Sequence, residues 1–79
     1  MTSKDVIKVI MTLKNVTNAD LAKRMGLSQA NVWGKINTNK SMTISKMNSI
    51  LNQLDYEVVL LPRGKANRID GAFVVDDTE

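Results

Sequence analysis

With 79 residues the chain makes one domain at most, burying only about 60–65% of the surface its unfolded form exposes, which disfavours a deep preorganised catalytic cavity. It has no cysteine and no histidine, so disulfides, thiolate nucleophiles, imidazole bases and the usual zinc ligand sets are absent; no cofactor and no metal is expected. The net charge of +3 is a cancellation: residues 1–69 hold all eleven Lys and Arg against four acids, a balance of +7, while residues 70–79 hold four acids and no base, a balance of −4.

A basic body of this size attracts polyanions, and the acidic end caps, solubilises or competes with them; a solvated lysine-rich surface is the plain alternative. A hydrophobic fraction of 43% with a mean hydropathy of −0.16 is that of a soluble globular domain. The apolar run from Val6 to Leu13 is short and broken by Lys8, and no small-residue cleavage site follows it. Neither a signal peptide nor a spanning helix is expected, and the expected location is the cytoplasm.

In chain order, Val6, Ile10 and Leu13 fall at i, i+4 and i+7 with Ile7 and Met11 beside them, which predicts an amphipathic helix over 4–14 capped by Ser3 and stopped at Asn15. Thr17 starts a second helix. Asp20 completes a capping box, Val16 and Leu21 form a hydrophobic staple, and Gly26 ends the helix in a left-handed turn. The same pattern of apolar residue, hydroxyl cap and apolar N4 recurs at Leu27-Ser28 with Val32 and at Met42-Thr43 with Met47. It predicts helices near 29–37 and 44–54, the latter with Met47, Ile50, Leu51 and Leu54 on one face. Met25, Met42 and Met47 read as core fillers.

After Leu54 the character changes. Tyr56, Glu57, Val58, Val59, Leu60 and Leu61 read as a strand covered on two sides, and residues 72–75, Ala72-Phe73-Val74-Val75, as a second. Arg63, Lys65 and Arg68 lie in the loop between, as a solvated turn or as extra phosphate contacts. The expected organisation is a helical domain over 1–55 and a β-hairpin with an acidic tail over 56–79. That hairpin carries more apolar surface than one small bundle covers, which points to dimerisation through Tyr56, Val58, Val59, Leu60, Leu61, Phe73 and Val75.

Leu21-Ala22 through Gly26-Leu27-Ser28-Gln29 to Val32 places a small residue where two helices approach and a glycine within three residues of the next cap, which is helix-turn-helix spacing. Through L-A-x-x-x-G-L-S-Q-x-x-V and its flanking helices, the chain resembles the lambda-repressor-like (Cro-like, XRE-type) helix-turn-helix family over roughly residues 3–55. The resemblance implies a mainly α fold, a bundle of four or five helices whose third lies in the DNA major groove. Geometry agrees: with Val32 and Ile36 turned inward, the opposite face presents Ala30, Gly34 and Asn37, flanked by Asn31 and Trp33, with Gln29 in the first turn. Small residues there let the helix approach base edges; Gln29 or Asn31 can bond adenine, and Ala30 can touch a thymine methyl.

Position by position, the resemblance puts base reading at Gln29, Ala30 and Gly34, and phosphate contacts at Asn18 and over Asn37, Thr38, Asn39 and Lys40. Thr17, Lys23 and Lys35 join the phosphate set, and Lys23, Arg24, Lys35 and Lys40 are expected to cluster around the DNA face. Trp33 has two readings, packing on the bundle edge or contacting DNA. Two departures from the family pattern stand out: Gly34 offers no side chain where many relatives place a polar reader, and Lys35 replaces a commonly apolar site, with Ile36 taking the core role one position later.

Asp5, Asp20, Asp55 and Glu57 form no close acidic pair on a helical face, so no enzyme is expected. The functional expectation is a sequence-specific transcriptional regulator, a repressor by preference, binding double-stranded DNA as a homodimer on an inverted repeat. The resemblance also implies a phage or mobile-element setting. The alternative is an antitoxin-like module that holds a small protein partner and uses DNA binding for autoregulation.

Overall fold

Every α-helix among the described residues starts on a hydroxyl. The computed structural model describes residues 1–37, 42–65 and 68–75, and in them four helices: α1 (Ser3–Leu13), α2 (Asn18–Met25), α3 (Gln29–Ile36) and α4 (Ile44–Asn52). Their N-caps are Thr2, Thr17, Ser28 and Thr43, whose side-chain oxygens accept from the backbone N–H groups of Asp5 (3.1 Å), Asp20 (3.1 Å), Asn31 (3.2 Å) and Lys46 (3.2 Å). The expected cap of α1 is corrected from Ser3 to Thr2, and Ser3 itself is buried in the first turn. The reason lies in the repeat: Met1-Thr2 with Val6 is a fourth copy of the pattern of apolar residue, hydroxyl and apolar N4, one residue earlier than the periodicity placed it.

The C-terminal ends repeat a second device. Asn15 (φ 55°), Gly26 (φ 68°) and Asp55 (φ 62°) are left-handed. In each case the next residue's N–H returns to a carbonyl five residues back: Val16 to Met11 (2.8 Å), Leu27 to Ala22 (3.0 Å) and Tyr56 to Leu51 (3.0 Å). These are Schellman closures, which satisfy carbonyls that the helix leaves open.

The core is built from the inward face of each helix: Val6, Ile7 and Ile10 of α1, Leu21 and Ala22 of α2, Val32 and Ile36 of α3, and Met47, Ile50 and Leu51 of α4. Val16, Met42 and Leu54 are buried from the connections. α2 packs on α3, and α1 on α4. Leu13, expected on the buried face, is 66% exposed instead, at the last residue of α1.

The expected C-terminal hairpin is also corrected: among the described residues there is no β-strand. Residues 56–62 run without turn or bend, and Tyr56, Val58, Phe73 and Val75 pack against the helical core rather than into a ladder. The Tyr56 and Phe73 rings meet tilted, with centroids 6.5 Å apart. Groups that a ladder needs are already used, since the Val58 N–H donates to Asn48 Oδ1 (3.1 Å) and the Val74 carbonyl accepts from the Met1 ammonium (3.0 Å). Nor is the first segment covered on two sides, because Val59, Leu60 and Leu61 are exposed at 59%, 86% and 42%. The acidic residues 76–79 lie outside the described residues.

Replacing Thr2 by Ala removes the α1 cap and is expected to lower unfolding free energy by about 1 kcal/mol in chemical denaturation at neutral pH. No measurable loss would return the start of the helix to Ser3.

Candidate nucleic-acid interface

Three residues, Gly26, Leu27 and Ser28, separate α2 from α3. Gly26 ends α2, half-buried Leu27 packs toward the core, and Ser28 caps α3. A second link holds the other end of the pair: the Asn18 side-chain amide donates to the Gln29 carbonyl at 3.0 Å. α3 is thereby fixed in direction by the turn and the Asn18 link, and in rotation by Val32 and Ile36, both almost fully buried.

That rotation leaves Gln29, Ala30, Asn31, Trp33, Gly34 and Lys35 exposed on one eight-residue helix. Trp33 is 60% exposed, so it is no part of the buried core. At Gly34 an added Cβ would meet no atom within 4 Å, so no packing constraint within the domain calls for glycine there. The outward face is therefore low, with backbone near the surface at Ala30 and Gly34 and polar side chains around it.

The start of α2 is taken up first by its own cap. The capping box occupies the Thr17 N–H, which donates to Asp20 Oδ2 (3.0 Å), and the Asp20 N–H, which donates to the Thr17 hydroxyl. The side-chain amide of Asn18 is committed to Gln29, which leaves its backbone N–H as the group able to meet an anion. Lys23 and Lys35 are exposed, whereas Asn37 is half-buried and its amide donates back to the Trp33 carbonyl at 3.1 Å. Thr38, Asn39 and Lys40 lie outside the described residues.

Arg24 departs from the expected basic cluster. Its guanidinium donates to the Gln53 carbonyl at 2.8 Å, so it ties α2 to the C-terminal end of α4, a link across 29 residues that local sequence does not announce. Asn18's strut and Arg24's tie are the two positioning contacts that sequence reasoning missed. For Asn18 the signal was available, since it and Gln29 open consecutive helices.

A groove of about 190 Å³ lies elsewhere, lined by residues of α1, α4 and the tail, with none from α2 or α3. Among the described residues no group of three or more acidic side chains is placed to hold a metal, and no helix is long and apolar enough to cross a membrane.

A family model for the Cro/C1-type helix-turn-helix DNA-binding domain matches residues 6–58, from within α1 through α4 to the start of the tail. Searches of curated proteins and of solved structures found no match.

The open space at Gly34 makes a stability prediction. Gly34→Ala is expected to raise unfolding free energy by about 0.5–1 kcal/mol, the helix-interior penalty of glycine, and a loss of stability on denaturation would show a hidden contact there.

A second expectation concerns acid. Hydrogen bonds from the Thr17 backbone and hydroxyl, aided by Arg24 and Lys23, hold the Asp20 carboxyl below its ordinary 3.8. A group with a lowered folded-state pKa stabilises above its unfolded value and loses that contribution as pH falls through the folded one. Asp20→Ala is thus expected to melt below the parent at pH 6, with the gap closing on acidification below about pH 4. A gap independent of pH would mean that the carboxylate is not what stabilises the cap.

Proposed function

Because the chain belongs to the Cro/C1-type helix-turn-helix DNA-binding domain family, we propose that it is a transcriptional regulator, a repressor that occupies an inverted-repeat operator as a homodimer and excludes polymerase. The supporting observation is the outward face of α3, where Gln29, Ala30, Asn31, Trp33 and Gly34 are all exposed above the buried anchors Val32 and Ile36. Gln29 and Asn31 read base edges through amide hydrogen bonds, Ala30 and Trp33 contact apolar edges such as thymine methyls, and Gly34 lets the helix backbone come close. Thr17 and Asn18 at the N-terminus of α2, with Lys23, Lys35, Asn37, Thr38 and Lys40, hold the phosphates on either side. The protein acts where the chromosome is, in the cytoplasm.

A single eight-residue reading helix contacts too few base pairs for an exclusive site, whereas two half-sites multiply specificity. Of the apolar residues assigned to dimerisation, Tyr56, Val58, Phe73 and Val75 pack on their own bundle, which leaves Val59, Leu60 and Leu61 as the surface available to a second copy.

Random-site selection with the full chain is expected to return an inverted repeat with half-site centres about one DNA turn, roughly 34 Å, apart. On the selected site, Gln29→Ala is expected to cost about 1–3 kcal/mol and to relax preference at one base pair. Recovery of no preferred sequence, or an equal loss on operator and random DNA, would leave a nonspecific DNA coater instead.

A further inference from the structure

The tail segment between Tyr56 and Arg63 is divided by the parity of its backbone. At the even positions Tyr56 donates to the Leu51 carbonyl, Val58 donates to Asn48 Oδ1 and Pro62 has no N–H, so that Leu60 alone among them keeps an N–H without a partner among the described residues. At the odd positions Glu57, Val59 and Leu61, no hydrogen bond to another described residue occupies either the N–H or the C=O. In an extended chain these odd groups all point to the same side, so the segment offers one open edge of alternate donors and acceptors. Open apolar edges recruit strands. The side chains along it are Val59, Leu60 and Leu61, and Leu60 is the most exposed large hydrophobic residue described.

We propose that this edge pairs antiparallel with the same edge of a second copy, in a register centred on Leu60. The inference rests on the homodimer reading above and gives it an interface. A two-fold axis through position 60 sets Val59 opposite Leu61 of the partner subunit and Glu57 opposite Arg63 of the partner subunit, so apolar meets apolar and acid meets base on both sides of the axis. Val59 and Leu61 form hydrogen-bonded pairs across the interface, four main-chain bonds in all. Val58 opposes Pro62 of the partner subunit in a pair that needs no N–H from either, which is what the two residues can supply. Leu60 then sits at a non-hydrogen-bonded pair, where Cα atoms approach to about 4.5 Å, and its side chain closes over the mouth of the tail groove that it lines. Moving the axis by one residue breaks this correspondence. Centred on 59 it sets Glu57 against leucine, and centred on 61 it sets Arg63 against Val59.

The absence of cysteine makes the register directly readable. In the full chain, Val58→Cys, Val59→Cys, Leu60→Cys, Leu61→Cys and Pro62→Cys are each oxidised mildly and scored for covalent dimer, with circular dichroism confirming the helices and a gel shift scoring DNA binding. Only a residue on the axis meets itself, so the yield is expected to peak sharply at Leu60→Cys. Glu57→Arg, which sets like charges together twice per dimer, is expected to weaken dimerisation by about tenfold in sedimentation, and adding Arg63→Glu is expected to restore it. A dimer that crosslinks best at another position, or a charge swap without rescue, overturns the register and leaves the homodimer reading standing. A chain that stays monomeric while helical and bound to DNA overturns both.

Discussion

The left-handed residue at position 26 is the constraint from which the presentation of α3 follows. Gly26 takes φ 68°, and the N–H groups of Gly26 and Leu27 close back on the carbonyls of Lys23 and Ala22. That reversal ends α2 and, two residues later, lets Ser28 cap α3. A residue with a Cβ would meet no neighbour at this position, so the cost of replacing the glycine is conformational, about 1–2 kcal/mol for a left-handed L-residue. The turn alone would leave α3 free to swing. The Asn18 amide on the Gln29 carbonyl removes that freedom at the start of the two helices, and nearly buried Ala22 lets them approach.

Helices of eight to eleven residues are marginal alone in water, because nucleation cost is spread over too few propagating residues. Here the deficit is met at the ends as much as on the faces. Each start couples a polar bond, hydroxyl to the third backbone N–H, with an apolar residue four positions into the helix that enters the core: Val6, Leu21, Val32 and Met47. The capping residues therefore do more than satisfy amides, for they set the phase in which each helix meets its neighbours. Three of the ends reuse a single left-handed residue in the same way, and in each the residue after it, Val16, Leu27 or Tyr56, joins or packs on the core.

This explains why the helical part was legible from the residues alone. Caps, staples and left-handed stops are decided within about five residues, so Thr17, Ser28, Thr43, Asn15 and Gly26 could be placed without knowledge of the fold. Thr2 obeys the same rule, but Ser3 beside it offers a second hydroxyl that periodicity alone does not distinguish from it. What was not legible depends on distant partners. Tyr56 to Leu61 has the composition of a strand and keeps an alternating burial as far as Val59, but whether it pairs within the chain was decided by Asn48, ten residues away, and by the ammonium at Met1. Arg24 likewise looked like part of a basic DNA face until the Gln53 carbonyl claimed it. The exposure of Trp33 inverts the usual preference of an aromatic ring for burial, which is the kind of local conflict that a binding surface produces.

The Arg24 tie has a consequence for how two copies would address DNA. α3 is fixed to α2 by the Gly26 turn and the Asn18 strut, and α2 is fixed to the end of α4 through Arg24 and Gln53. Immediately beyond, the left-handed Asp55 launches the extended edge, and the Tyr56 N–H returns to Leu51 of α4. From the reading face to the proposed two-fold axis there is thus a continuous path of helices, hydrogen bonds and packed residues, with no free linker. A dimer joined at that edge would hold its two α3 helices at one separation rather than over a range. A rigid separation turns half-site spacing into a source of discrimination, because an operator with the wrong spacing engages one helix at a time and forfeits the gain of the second. The proposed dimer edge would also lie apart from the proposed reading helix, since no residue of α2 or α3 lines the groove beside the tail.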